Sequence, residues 1–225
     1  MIALVYLSLL SLISVTVWPI FVTTAVLSEV MIKGLFGGAW LAAIPLLIPL
    51  ALGQLMGAVM VTSGPIIRGT GRPEKELKIS ALTLPVLVAV LGATSQVSLL
   101  AIAWGMFAVG VFRCALMTRA IQKLFDLHSR QFYRAVRGGI LMSLACAGAA
   151  FTADRFLSDS NITPVVLLIL EISLVGIVYI LLMLALPKLF IGPYTSDLVR
   201  DFVHLLPNKL GTFLVKLLRL ETTVP

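Results

Sequence analysis

An acid stands inside the apolar run LLILEISLV. Glu171 in that setting is expensive, and an acid in a membrane-depth segment pairs, relays protons or meets a headgroup. Three roles are open to it: coupling to a proton gradient, a neutral hydrogen-bonded carboxyl within a bundle, or a reach toward the outer headgroups. Gln54, in PLALGQLMGAVM, is the second polar side chain set deep in an apolar stretch. Arg113, in AVGVFRCALM, is the third, about one to two turns from the end of its run, where a long side chain snorkels to the interface. The rest of the chemical inventory is sparse. His128 and His204 have no Cys, His or acid at ligand spacing, so no metal site is expected. Cys114 and Cys146 lie in apolar segments and behave as small apolar residues. There is no phosphate-cradling glycine loop and no nucleophile elbow, so neither an enzyme nor a cofactor is indicated.

The elements that must hold these residues are membrane helices. Of the 225 residues 60% are hydrophobic and only 12% are charged, against about 45–50% and about 25% in a soluble domain. A membrane helix needs about 20 mostly apolar residues, and the runs that qualify lie at 2–27, 40–63, 79–95, 97–118, 139–157 and 163–187. The fold class is therefore an all-α integral membrane bundle of six spans over 1–187, followed by a tail over 188–225. The third and fourth runs are separated only by a short turn near GATSQVS and form an antiparallel hairpin.

The net charge is +7, which in a soluble protein would suggest nucleic acid. Here the cations flank apolar runs, so membrane lipids are the partner they indicate. Segments 64–78, 119–138 and the tail from 188 carry 14 of the 17 Lys and Arg residues. Crossing six spans puts all three on one side, and positive charge stays cytoplasmic. Both termini are then inside. The start MIALVYLSLL has no basic flank and its apolar run is too long for a signal peptide.

Pro19, Pro45 and Pro49 are candidate helix kinks, since each removes a backbone donor and clashes with the preceding turn. Pro45 and Pro49 share a helical face, and the bend would either line a cavity or stand as a static kink. Gly53 and Gly57 make a small-xxx-small step that lets a second helix approach, and GILMSLACAGAAFTA in the fifth run is also rich in small residues. Segments 119–138 and 196–220 mix Leu, Phe and basic residues and suit amphipathic helices on the inner membrane surface.

One passage, VMIKGLFGGAWLAAIPLLIPLALGQLMGAVMVTSGPIIRGTGRPE, resembles the polysaccharide flippases of the multidrug/oligosaccharidyl-lipid/polysaccharide superfamily. The residues that carry the resemblance are Pro19, then Leu35, Phe36 and Gly37 with Trp40, then Ala42 and Ala43, then Gly71 and Arg72. The later order of a tight helix pair, a basic loop and two final spans is similar too. The family fold is two helical lobes around a central cavity, working by alternating access. The resemblance implies transport of a lipid-linked oligosaccharide, a polysaccharide or lipopolysaccharide precursor, across the bacterial inner membrane. It also implies that this chain is the C-terminal part of a longer flippase. Arg68 and Arg72 are then candidates for holding a pyrophosphate-linked sugar at the cytoplasmic mouth, although the inside-positive bias accounts for them unaided. Two other readings remain: a self-contained six-span transporter or channel that dimerises with a second copy, and a non-transporting partner of polysaccharide assembly proteins.

Overall fold

The computed structural model describes residues 2–157 and 163–186. Its elements are α1 (Ile2–Val26), α2 (Ser28–Leu35), a 3₁₀ turn (Gly38–Ala43), α3 (Ile44–Gly69), α4 (Pro73–Ser95), α5 (Leu99–Phe125), α6 (Ser129–Leu157) and α7 (Pro164–Ala185). Six of these helices are long and apolar enough to cross a membrane. The chain is a multi-pass membrane protein, and its described residues form an all-α bundle. At about 1.5 Å per residue, even the 22-residue α7 covers the hydrocarbon thickness of about 30 Å.

Local chemistry sets the helix ends. Gly37 has φ +76° and releases α2 into the 3₁₀ turn. Gly71, at φ +72°, turns the chain between α3 and α4, and Pro73 follows in the first turn of α4, where its missing donor is not needed. Ser98 caps α5 by accepting the Ala101 N–H at 3.1 Å. Asp126 closes α5 in the left-handed conformation, φ 52°, which Asp tolerates better than most side chains.

Packing does not follow chain order. The neighbours across the bundle run α4, α5, α3, α1, α6, α7, so the first helix lies between the third and the sixth, and α2 sits on α7. Small residues make the central crossing possible. Ser8, Ser11 and Ser14 of α1 are buried against a face of α6 that includes Ala135, Gly139, Ser143 and Cys146. Tyr6, Leu10, Ile67, Met117, Ile121 and Val136 build one apolar core, shared by α1, α3, α5 and α6. Val15, Leu27, Met142, Cys146, Ala150 and Val175 build a second, toward α7. Two polar clasps join α1 to α3: the Trp18 Nε1–H donates to the Leu55 carbonyl at 3.1 Å, and the Tyr6 and Ser63 hydroxyls pair at 3.2 Å.

Several expected boundaries shift. Segment 64–78 is not a loop; α3 continues to Gly69 and α4 begins at Pro73. Segment 119–138 is not a separate surface helix. Its two halves are the ends of α5 and α6, and only the turn between Phe125 and Ser129 separates them. Helices longer than the hydrocarbon simply carry their basic ends into the headgroup region. Pro45 falls in the first turn of α3, where it breaks no helical hydrogen bond, so it is no kink. Pro19 and Pro49 do lie inside helices and are buried, and Pro65 is a further interior proline. The tail over 188–225, with segment 196–220 and His204, lies outside the described residues.

Candidate functional site

Glu171 faces the protein. On α7 it follows Leu168 by three residues and precedes Val175 by four, and these are the buried positions of that helix. This spacing is one helical stripe, and the stripe is turned toward α6 and α2. The Glu171 side chain is 0% exposed, and neither of its carboxylate oxygens has a hydrogen-bond partner among the described residues. The Asp154 carboxyl of α6 is near enough to act on it electrostatically. Two acids thus approach each other at the end of the bundle away from the basic turns, Asp154 on the last turn of α6 and Glu171 about two turns into α7.

The wall around this site is tight. A methyl group placed on Gly34 of α2 would stand 3.1 Å from the Pro164 carbonyl oxygen and 3.5 Å from Leu168, so α2 rests directly on the first turn of α7. Ala150 and Ala153 on the α6 side are buried, and their small size brings α7 close. An unbonded carboxyl in such a setting is destabilising by roughly 1–3 kcal/mol, and an isolated ionised one by far more. Among the described residues, the carboxyl has no structural bond that a change of its protonation would break.

The other sequence-derived candidates are scattered. Gln54 is exposed on the outer side of α3, beside Gly53 and Gly57, with its Oε1 3.4 Å from where a methyl on Gly57 would stand. A methyl on Gly53 would meet nothing within 4 Å, so no described helix uses that small-residue step. Arg113 lies deeper than its expected place, because α5 runs on to Phe125; that leaves it about three turns from the helix end. Its Nε is buried without a partner among the described residues. Arg68 is paired with Glu76 at 3.5 Å across the α3–α4 turn, and Arg72 is the exposed residue just before α4. Arg113 on α5 and Glu171 on α7 belong to helices separated by α3, α1 and α6, so the structure does not assemble these five residues into one site. Among the described residues no group of three His, Cys, Asp or Glu side chains could hold a metal ion.

Sequence reading missed Asp154 as a neighbour of Glu171, since nothing in one chain tells which faces of two helices meet. It also missed the clasps of Trp18 and Tyr6. Compared with known families, characterised proteins and solved structures, the chain matches no family model, no curated protein and no solved structure.

Proposed function

We propose that the chain takes part in moving a lipid-linked oligosaccharide across the bacterial inner membrane, with the Glu171 carboxyl as the group that couples movement to protonation. The observation that carries this reading is a fully buried acid in a membrane span, without a hydrogen bond among the described residues and faced by a second acid. A static bundle gains nothing from such a group, whereas a transporter uses one as a switch. The substrate class comes from the likeness of the Leu35–Phe36–Gly37 and Trp40 passage to polysaccharide flippases. The concentration of Arg and Lys at the α3–α4 and α5–α6 turns supports an orientation with those turns and both termini in the cytoplasm.

The test is translocation by the full chain in liposomes. A fluorescent polyprenyl-diphosphate sugar is loaded in both leaflets, and an impermeant quencher reads the outer one. The expected result is protein-dependent exchange between leaflets that responds to an imposed pH gradient in the wild type and loses that response in Glu171→Gln. Exchange no faster than in empty liposomes would refute transport by this chain. A second reading is favoured by the open Gly53–Gln54–Gly57 face: a membrane partner that docks another helix there and moves nothing itself. That reading expects co-purification with a polysaccharide assembly protein in place of flux.

A further inference from the structure

Helices α4 and α5 are closest at their shared turn and part toward the opposite end. Near the turn a methyl on Gly105 would lie 2.8 Å from Val90 and 3.2 Å from Thr94, so the glycine permits the close approach. At the far end a cleft of about 440 Å³ opens between them. Its walls are two stripes of matching spacing. Lys75, Lys78 and Leu82 come from α4, and Leu116, Arg119 and Lys123 from α5. The steps of three and four put each set on one helical face. Because the helices are antiparallel, the four cations share the outer turns and the leucines share the deeper ones.

Among the described residues no acid lines this cleft. The neighbouring acid Glu76 is drawn off to the α3 side by Arg68. Four cations thus converge with no counter-charge from a described residue of the lining, directly above an apolar floor, at the end of the bundle where the headgroup region lies. A soluble anion would use the cations and waste the floor. A purely apolar occupant would use the floor and leave the charges unpaired. An anionic phospholipid uses both: its phosphate meets the ammonium and guanidinium groups, and an acyl chain lies along Leu82 and Leu116.

We propose that the α4–α5 cleft is a binding site for an anionic phospholipid, with Lys75, Lys78, Arg119 and Lys123 holding the headgroup phosphate. The proposal is independent of transport, because it concerns the outer face of the α4–α5 hairpin, away from Glu171. It differs from a general attraction of basic loops to the membrane surface in requiring both the cations of the cleft and its floor.

The experiment uses the full chain in phosphatidylcholine nanodiscs doped with spin-labelled phosphatidylglycerol, reading the immobilised lipid fraction. Wild type is expected to retain phosphatidylglycerol over spin-labelled phosphatidylcholine. The pair Lys78→Gln and Lys123→Gln is expected to lower that preference about fivefold for each cation removed, equivalent to about 1 kcal/mol per basic residue near an anionic surface. Lys78→Arg with Lys123→Arg is expected to restore it. Leu116→Trp, which fills the floor without changing charge, is expected to lower retention as well. Arg130→Gln with Arg134→Gln removes the same charge from the α6 end outside the cleft and is expected to leave the preference within twofold. Equal losses in the two charge-removing pairs, or no loss in Leu116→Trp, would overturn a discrete site in favour of diffuse surface charge. Full displacement of the lipid by inorganic phosphate would overturn the lipid as its occupant.

Discussion

Gly139→Ala gives the sharpest test of how α1 and α6 meet. A methyl at position 139 would stand 2.6 Å from the backbone carbon of Ser14, 2.6 Å from its Cβ and 2.7 Å from its carbonyl oxygen. Carbon contacts are normally about 3.5–4.0 Å, so the helices must part by about 1 Å. Two of the three obstructing atoms belong to the backbone, so no change of rotamer relieves the clash. A gap of about 1 Å removes up to roughly half of the attraction between facing atoms, along a crossing that buries Ser11, Ser14, Val15, Ala135, Met142 and Cys146. Overpacking in well-filled cores amounts to about 1–3 kcal/mol, and this geometry places Gly139→Ala at the upper end of that range. The sign is informative, because the same change in an open helical position is favourable by up to about 1 kcal/mol. Gly148, on the same helix with nothing within 4 Å, is the matched control. The assay is reversible unfolding in mixed micelles by increasing denaturing detergent. Gly139→Ala is expected to lose about 3 kcal/mol and Gly148→Ala to lose nothing. Adding Ser14→Gly recovers only part, since the carbonyl group remains in the way. A Gly139→Ala protein as stable as wild type would show that α1 and α6 do not cross this closely.

Glu171→Leu removes two unbonded buried oxygens and is expected to raise stability in the same assay by about 1–3 kcal/mol while abolishing pH-dependent flux; a loss of stability would mean that the carboxyl is held by a bond. Gly105→Ala meets side chains only, so it should be destabilising by about 1 kcal/mol and be rescued by Val90→Ala; failure of that rescue would place the clash elsewhere. Gly53→Ala and Gly57→Ala face open space or their own helix and are expected to leave the fold within about 0.5 kcal/mol; a loss of oligomer or partner on a gel-filtration column would identify that face as an interface. Single cysteines at Thr70 and His128 are expected to react with an impermeant thiol reagent from the same side of the membrane, and one at Gly38 from the other; opposite sidedness for Thr70 and His128 would contradict the six-span topology.

The number of spans was legible because lipid imposes a length: each crossing needs an apolar run, and there are six. Their ends were not, because hydropathy falls where the headgroups begin, while a helix continues into water as long as its turns can be capped. Hence Pro73–Lys78 reads as connection and Ser129–Gly138 as part of a separate surface helix, whereas both are end turns of α4 and α6. The stops were written in smaller signals, Gly71–Arg72–Pro73 for one turn and the left-handed Asp126 for the other. Neighbour order was the least legible. α1 lies between α3 and α6 because its serines and the glycine and alanines of α6 let two backbones approach, and the same small residues would suit several partners. α7 is apolar around its whole circumference, so its rotation, and with it the inward aim of Glu171, is decided by contact with α6 and α2.

That rotation bears on what the acid can do. Were α7 turned by half a revolution, Glu171 would meet lipid, and snorkelling or exclusion from the membrane would be its simplest fate. In the packed bundle the opposite holds: α2 rests on the first turn of α7, α6 brings Asp154 alongside, and the carboxyl is buried without a bond among the described residues. A neutral residue of similar length would fill the same space at lower free energy, so the acid does not serve packing. The basic cleft lies at the other end of the molecule, on a different helix pair. The structure thus separates a buried acid near one membrane face from a basic cleft at the other, and perturbing either should leave the other intact. Glu171→Gln should therefore keep its phosphatidylglycerol preference, and Leu116→Trp should keep the stability gain of Glu171→Leu when the two are combined. Coupling greater than about 0.5 kcal/mol between such distant positions would mean that the two ends move as one body.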